Sequence, residues 1–163
     1  MMVKSSMKKL IIDTNLLVLF VIGSIDNARQ IKNSKKLKGY SERDYYFLLE
    51  LMEPYDEFYV TPYIAAETSN LLHRDLDGWA KQQIFESLRI FLTSFFKFIE
   101  VNPEKDTEGY TFPRLGLTDN SLIHLINDYV VLTNDEDIPL ALLGIKPDNV
   151  LWYTPLRKAK FNC

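Results

Sequence analysis

The chain has 163 residues, of which 47% are hydrophobic and 25% are charged, and this is typical of one folded domain rather than a disordered segment. The formal net charge of −3 excludes a protein that binds nucleic acid through bulk positive charge, so any such contact needs a local basic patch. The only cysteine is Cys163, which excludes an intramolecular disulfide and a zinc site of clustered cysteines.

Short apolar runs alternate with amphipathic stretches along the chain. Residues 8–13 form a β-branched-rich apolar run that is typical of a buried strand, and Thr14 or Asn15 is a candidate N-cap for the helix that follows. Ser41 is a second candidate N-cap, and Asp44 at the third helical position would complete a capping box. The remaining predicted elements are a strand at 58–60, a helix beginning at Pro62, a helix at 78–96, a strand at 98–101, a loop at 102–117, a helix at 119–128, a strand at 129–133, a short helix near 136–143 and a strand at 150–153.

This alternation predicts an α/β fold in which helices cover both faces of a central parallel sheet, within a single domain of residues 1–163. No stretch reaches the roughly 20 apolar residues that cross a bilayer, because Asp13 and Asn15 interrupt the most apolar run. We therefore expect a cytoplasmic protein without a membrane partner. The strand residues that we expect to be buried are Ile11, Val60, Ile99, Val131 and Leu151.

Three aspartates lie where predicted elements begin or end. Asp13 ends the first strand, Asp119 opens an apolar helix, and Asp135 follows the strand at 129–133. Each has a purely structural alternative: an N-cap or Asx-turn for Asp13, a first-turn position favoured by the helix macrodipole for Asp119, and a polar turn for Asp135. Asp137 competes with Asp135 for the same role.

Glu67 is the fourth acid of this kind. It shares a predicted helix face with Ile64 and Leu71, so we expect its carboxylate to be buried among apolar neighbours. Asn70, one turn further on, would flank the same pocket. The alternative is a buried glutamate that is paired with an arginine or a lysine.

The four acids together predict one divalent-cation site. Carboxylates are costly beside a core unless they are paired or bound to a cation, and Mg²⁺ and Mn²⁺ prefer oxygen ligands. Without a cation the clustered charges repel one another, which should raise some of their pKa values. The histidines support no other mechanism. His124 shares a predicted polar face with Asn120 and Asp128, so we expect this face to point to solvent, and His73 lies beside an apolar stripe. Motifs for a nucleophilic hydrolase or a nucleotide-binding loop are absent from the sequence.

Residues 25–40 contain the only basic run, with four lysines and one arginine among polar residues. Such a run is commonly a solvated loop or a frayed helix end. The alternative is a patch that holds phosphates, and Arg114, on the predicted loop before Asp119, is a further candidate for that role.

Four short blocks resemble, in order, the signature motifs of PIN-domain nucleases: Ile11–Asn15, Thr61–Glu67, Gly116–Asp119 and Leu132–Asp135. The resemblance extends over nearly the whole chain. It implies a three-layer α/β/α domain with a central parallel sheet, and a ribonuclease that uses Mg²⁺ or Mn²⁺ to hydrolyse RNA phosphodiester bonds. Many members are the toxins of toxin–antitoxin pairs, although the long basic stretch 25–40 departs from compact toxins.

The resemblance also implies roles for individual residues. It assigns catalysis and metal binding to Asp13, Glu67, Asp119 and Asp135. The supporting polar residues are Thr14, Asn15, Asn70, Thr133 and Asp137. The candidates for RNA contact are Arg29, Lys32, Lys35, Lys36 and Arg114. RNA is the expected partner, together with an antitoxin-type protein or a second copy of the chain. The alternative function is a PIN-fold module that binds RNA or protein without cleaving it, through surfaces such as the tail at 152–163.

Overall fold

The computed structural model describes residues 6–162, and its centre is a sheet of five parallel strands in the order β3-β2-β1-β4-β5. Helices flank the sheet in a three-layer α/β/α arrangement, which confirms the predicted fold class. The strands are β1 (Lys9–Ile12), β2 (Glu57–Val60), β3 (Lys97–Phe98), β4 (Val130–Thr133) and β5 (Val150–Trp152). The helices are α1 (Thr14–Gly23), α2 (Glu42–Met52), α3 (Pro62–His73), α4 (Gly78–Ile90), α5 (Pro103–Asp106), α6 (Phe112–Leu125), α7 (Ile138–Leu143) and α8 (Tyr153–Phe161). Cys163 lies outside the described residues.

The strand β1 occupies the middle of the sheet. Its Ile11 pairs with Tyr59 of β2 on one side and with Val131 of β4 on the other. A strand that is covered on both faces and paired on both edges needs a continuous apolar sequence, and Leu10, Ile11 and Ile12 are fully buried. This position places the carboxyl ends of β1 and β4 side by side.

Burial of the sheet largely follows the sequence prediction. Ile11, Val60 and Val131 are fully buried, and Ile99, just beyond the end of β3, is buried as well. The prediction was wrong for Leu151, which is only half-buried. It belongs to β5, an edge strand that has a neighbouring strand on one side only.

The helix α1 is buried on nearly all sides. Every residue from Leu16 to Gly23 is buried, and Asn15 is the exposed exception at its start. A helix that is apolar around its whole circumference has to lie inside the protein, so α1 forms the core layer on one face of the sheet. No helix within residues 6–162 combines the length and hydrophobicity that a bilayer crossing requires.

Two predicted segments have different boundaries in the structure. The predicted loop 102–117 contains α5 and the first turn of α6, which bends at Gly116 where φ is +79°. This left-handed conformation favours glycine and explains why the sequence suggested a loop. The predicted helix 78–96 is α4, which ends at Ile90 and continues as one π-helical turn, Phe91–Phe95.

The basic side chains of the stretch 25–40 are exposed, as expected for a solvated run, but the stretch is also packed against the core. It contains a kinked 3-10 segment, Asp26–Asn33, and its Ala28, Ile31 and Leu37 are buried in the core. The carboxylate of Asp75, which is also buried, accepts hydrogen bonds from the Ser34 hydroxyl and the backbone N–H groups of residues 35 and 36. The segment is therefore held by both apolar packing and a buried acid.

A buried network around Asp44 attaches α8 to the start of α2. The predicted capping box is confirmed, and the backbone N–H of Ser41 donates to Asp44 Oδ2 (2.7 Å). The Tyr153 hydroxyl donates to Asp44 Oδ1 (3.2 Å), and Arg157 forms an ion pair with the same carboxylate. Burial by itself raises the pKa of Asp44, but these hydrogen bonds and the charge of Arg157 outweigh it, and the pKa is lowered.

We predict that Asp44→Ala lowers the free energy of unfolding by about 1.5–3 kcal/mol near neutral pH, the range for hydrogen bonds to a charged group. Because the folded-state pKa is lowered, this contribution is present above the unfolded pKa and is lost as the pH falls through the folded pKa. Urea denaturation at neutral and acidic pH measures both effects. A loss no larger than that of Asp148→Asn, an exposed aspartate, would contradict this role for Asp44.

Candidate functional site

The Asp13 carboxylate lies at the carboxyl end of β1 and caps α1. Its Oδ1 accepts a hydrogen bond from the backbone N–H of Thr14 (2.7 Å), and its Oδ2 accepts one from the hydroxyl of Thr133 at the end of β4 (2.7 Å). The N-cap alternative is therefore confirmed for Asp13. Both Asp13 and Thr14 are buried, so one buried carboxylate joins a helix start to two adjacent strands.

Burial raises the pKa of the Asp13 carboxyl group. The hydrogen bonds from Thr133 and Thr14 lower it, while the negative charges of Asp135 and Glu67 raise it further, and the net direction is upward. These charge effects require Asp135 and Glu67 to lie near Asp13. Asp13 is thus part of a group of acids rather than an isolated helix cap.

Asp135 lies directly beyond the end of β4 and begins the turn into α7. Its backbone N–H donates to Thr133 Oγ1 (3.1 Å). Its carboxylate Oδ1 accepts from the backbone N–H groups of Asp137 (2.7 Å) and Ile138 (3.1 Å). The polar-turn alternative is therefore confirmed for one oxygen of Asp135. Asp137 itself is exposed.

Glu67 is exposed on α3, so the prediction that it is buried was wrong. The buried residues of α3 are Ile64, Ala65, Thr68 and Leu72, and this stripe passes beside Glu67 rather than through it. The Glu67 Oε2 accepts a long hydrogen bond from the Thr14 hydroxyl (3.4 Å). This contact places the carboxylate next to the end of β1.

Asp119 is the acid whose pKa responds to the charges of all the others. It is half-buried on α6, and burial raises its pKa to about 8 together with the charges of Asp13, Asp135, Glu67 and Asp137, in that order of effect. A carboxyl group reaches such a value when it loses water and faces like charges at short range. The four predicted site acids therefore share one electrostatic environment.

None of these four acids has a basic partner among the described residues. The ion pairs within residues 6–162 join Arg29 to Asp26, Lys97 to Glu57, Arg157 to Asp44 and Lys160 to Glu50. The alternative of a glutamate paired with an arginine or lysine is thus wrong for Glu67. The negative charge of the group is left without compensation by protein cations.

A cleft of about 420 Å³ opens beside this group, and Glu67 and Asp119 belong to its wall. Asn70, a predicted flanking residue, also lines it, whereas Asp13 and Asp135 lie outside its lining. The wall is completed by Tyr63, Ala66 and the segment 115–118. Because Gly116 bends α6, that segment forms one side of the cleft.

The side chains, as they stand, do not enclose a cation. Within residues 6–162 no three His, Cys, Asp or Glu side chains are grouped closely enough to hold one ion. The donor chemistry nevertheless fits Mg²⁺ or Mn²⁺, because the converging atoms are all carboxylate or hydroxyl oxygens and their charge is uncompensated. That these acids close around an ion remains a prediction.

None of the basic residues predicted to contact RNA lines the acidic cleft. Arg29 pairs with Asp26, and Arg29 and Lys32 line a separate cavity of about 370 Å³. The side chains of Lys35 and Lys36 are exposed, and neither residue lines that cavity or the acidic cleft. Arg114 directly precedes Leu115 of the cleft wall and is exposed.

No pattern in the sequence indicated the roles of two residues that organise the cleft wall. Asn120 is buried and its amide holds the backbone before α6, while Tyr63 donates its hydroxyl to buried Asp106 (2.9 Å). The helical pattern placed Asn120 and His124 on a polar face that we expected to be exposed. That expectation was also wrong for His124, which is half-buried and whose Nε2 is buried without a hydrogen-bond partner. His73 is exposed and touches the Phe85 ring edge-on.

No protein-family model matches this chain, and no curated protein matches its sequence.

We predict that Asp119→Asn removes a pH-dependent loss of stability in metal-free buffer. The folded-state pKa of about 8 lies above the ordinary value of 3.8, so the folded protein binds this proton more tightly and its stability falls as the pH rises between the two values. The melting temperature of the variant should therefore increase relative to wild type over this range.

Thermal unfolding in EDTA at several pH values measures the difference. The matched control is Asp128→Asn, at an exposed aspartate just before the amino-terminal end of β4. A difference between Asp119→Asn and wild type that does not change with pH would contradict the raised pKa.

Proposed function

We propose that the protein is a metal-dependent ribonuclease, possessing a site formed by Asp13, Glu67, Asp119 and Asp135. The observation that carries this proposal is the convergence of these carboxylates beside an open cleft, without a basic partner among residues 6–162. Uncompensated acids at the carboxyl edge of a parallel sheet are destabilising unless a cation joins them. A cation-dependent function would explain why the protein has these acids at this position.

The resemblance to PIN-domain nucleases supports the same proposal. The four blocks that carry it are far apart in the sequence, and each contributes one of the acids that converge at the site. The parallel order of the sheet is also the arrangement that the resemblance implies. The order of the four acids in the sequence and the parallel sheet are what support this part of the proposal.

The four carboxylates are the residues that would hold the cation. A bound Mg²⁺ or Mn²⁺ would supply positive charge to the scissile phosphate and lower the pKa of the attacking water. Asp13 is held in one orientation by its bonds to Thr14 and Thr133, so its position is fixed before any ligand arrives. Preorganised groups lower the reorganisation that a reaction requires.

Asp119 and Glu67 have a different role in the proposed site from that of Asp13. They line the cleft, so they are the acids that an incoming RNA strand meets first. Near neutral pH the metal-free Asp119 carboxyl retains its proton, because its pKa is about 8. This proton has to leave when a cation binds, which couples cation affinity to pH. Arg114, next to the cleft wall, is the residue placed to hold a phosphate outside the acidic group.

We predict that Asp13→Asn abolishes most of the cleavage of single-stranded RNA in Mg²⁺ or Mn²⁺, since it removes one negative charge from the cation site and keeps the side-chain size. The fold should be retained, because the remaining Oδ1 still accepts from Thr14 N–H and the Thr133 hydroxyl can accept from the new amide. Gel-based cleavage assays on several RNAs measure the loss, and EDTA treatment of wild type should produce the same result.

The matched control is Asp128→Asn, which makes the same chemical change just before the amino-terminal end of β4 and should leave cleavage unchanged. Cleavage by Asp13→Asn or by the chelated protein at the wild-type rate would contradict the proposal. A wild-type protein that binds RNA and a divalent cation without cleaving would instead support the PIN-fold binding module. An antitoxin-type partner remains a prediction that co-purification from the native host tests.

A further inference from the structure

Tyr110 is the most exposed of the large hydrophobic side chains, with 94% of its surface accessible to solvent. It lies on the short connection between α5 and α6, directly after Gly109, whose φ of +90° lets the chain turn there. Single exposed apolar residues are common on protein surfaces and need no explanation by themselves. The surroundings of Tyr110 distinguish it.

The backbone on both sides of Tyr110 is held by one buried amide. Asn120, only 1% exposed, donates from Nδ2 to the carbonyl oxygens of Asp106 (2.7 Å) and Glu108 (3.0 Å), and its Oδ1 accepts from the Thr111 hydroxyl (2.7 Å). All these bonds go to the connection that carries Tyr110. The ring is thus presented from a fixed backbone, which reduces the entropy lost when it binds a ligand.

The same bonds fix the position of Tyr110 relative to the candidate site. Asn120 directly follows Asp119 in α6, so its hydrogen bonds link the connection to the part of the helix that carries the cleft acid. On the other side, Asp106 accepts from the hydroxyl of Tyr63, whose side chain lines the cleft. Tyr110 is therefore attached through hydrogen bonds to two residues of the cleft region.

The charges near Tyr110 favour an aromatic contact over an electrostatic one. Lys105 and Arg114 are exposed on either side, but Glu104 and Glu108 offset them, so this segment has no excess positive charge. Single-stranded nucleic acids bind such surfaces by stacking their bases on aromatic side chains, and every base has a face that stacks. A tyrosine with both faces free is suited to that contact.

We propose that Tyr110 is the stacking platform for an unpaired base of the RNA strand whose backbone enters the cleft, an inference that rests on the proposed ribonuclease function. Tyr110 binds substrate and takes no part in the reaction itself. Its role is to favour RNA that offers an unpaired base for stacking.

The test compares Tyr110→Ala with Tyr110→Phe and Tyr110→Trp in steady-state cleavage of short single-stranded RNA. Loss of one stacked base should raise KM about 5- to 150-fold with kcat nearly unchanged, while the two aromatic replacements retain the wild-type KM. Tyr46→Ala removes an exposed tyrosine of α2 that does not line the cleft, so it is the control and should leave KM unchanged. Because Tyr110 is almost fully exposed, its replacement leaves the fold intact, which thermal unfolding verifies.

Fluorescence anisotropy with labelled single-stranded RNA in EDTA separates this inference from the proposed catalysis. Wild-type binding that Tyr110→Ala weakens and Tyr110→Phe retains supports the platform even if no cleavage occurs. Equal affinity of wild type and Tyr110→Ala overturns it, whether or not the protein cleaves RNA. Absence of wild-type binding to any single-stranded RNA overturns the platform, and so does a protein partner that is lost in Tyr110→Ala while RNA affinity stays unchanged.

Discussion

The hydrogen bond from the Thr133 hydroxyl to Asp13 Oδ2 is the contact on which the candidate site depends. It joins the ends of β1 and β4, two strands that are 120 residues apart in the chain and neighbours in the sheet. The same Thr133 oxygen accepts from the backbone N–H of Asp135. One buried threonine thus sets the positions of two acids, and the parallel pairing of β1 with β4 makes that contact possible.

The energetic consequence of this arrangement is an acidic group that the protein does not neutralise itself. Asp13 is buried, Asp119 is half-buried, and both have raised pKa values because water is removed and like charges are near. Asp44 is the instructive contrast within the same chain. It is equally buried, but Arg157 and Tyr153 stabilise its charge and its pKa is lowered. The charge of Arg157 thus stabilises the buried Asp44 carboxylate, whereas no ion pair among residues 6–162 involves Asp13 or Asp119.

Local patterns in the sequence were sufficient for the sheet and for most helix starts. The apolar run of β1, the capping box at Ser41 and the proline that begins α3 depend on neighbouring residues only, and the structure retains them. The burial of Glu67 was predicted wrongly because an apolar pattern locates the buried face of a helix only to within about one residue. An error of one residue moves a side chain from the core to the margin of the buried face.

Contacts between distant residues could not be predicted from the sequence. The basic stretch 25–40 is ordered because Asp75, about 40 positions later, binds its backbone, and no local pattern contains that information. Asn120 looked like a surface residue because its partners belong to a connection that had no predicted structure. For the candidate site, the sequence suggested four acids, while the distances among them depend on the whole fold.

Calorimetric titration of the metal-free protein with Mn²⁺ is the most direct test of the claim that these four acids form a cation site. Comparing buffers of different ionisation enthalpy at about pH 7 reports the protons released on binding. If the four acids form a cation site, the wild-type protein binds Mn²⁺ saturably and releases protons on binding. In Asp119→Asn the affinity and the proton release are both reduced, because the Asp119 proton has to leave when the cation enters. Absence of saturable Mn²⁺ binding, or binding that releases no proton and is the same in Asp119→Asn, would contradict it.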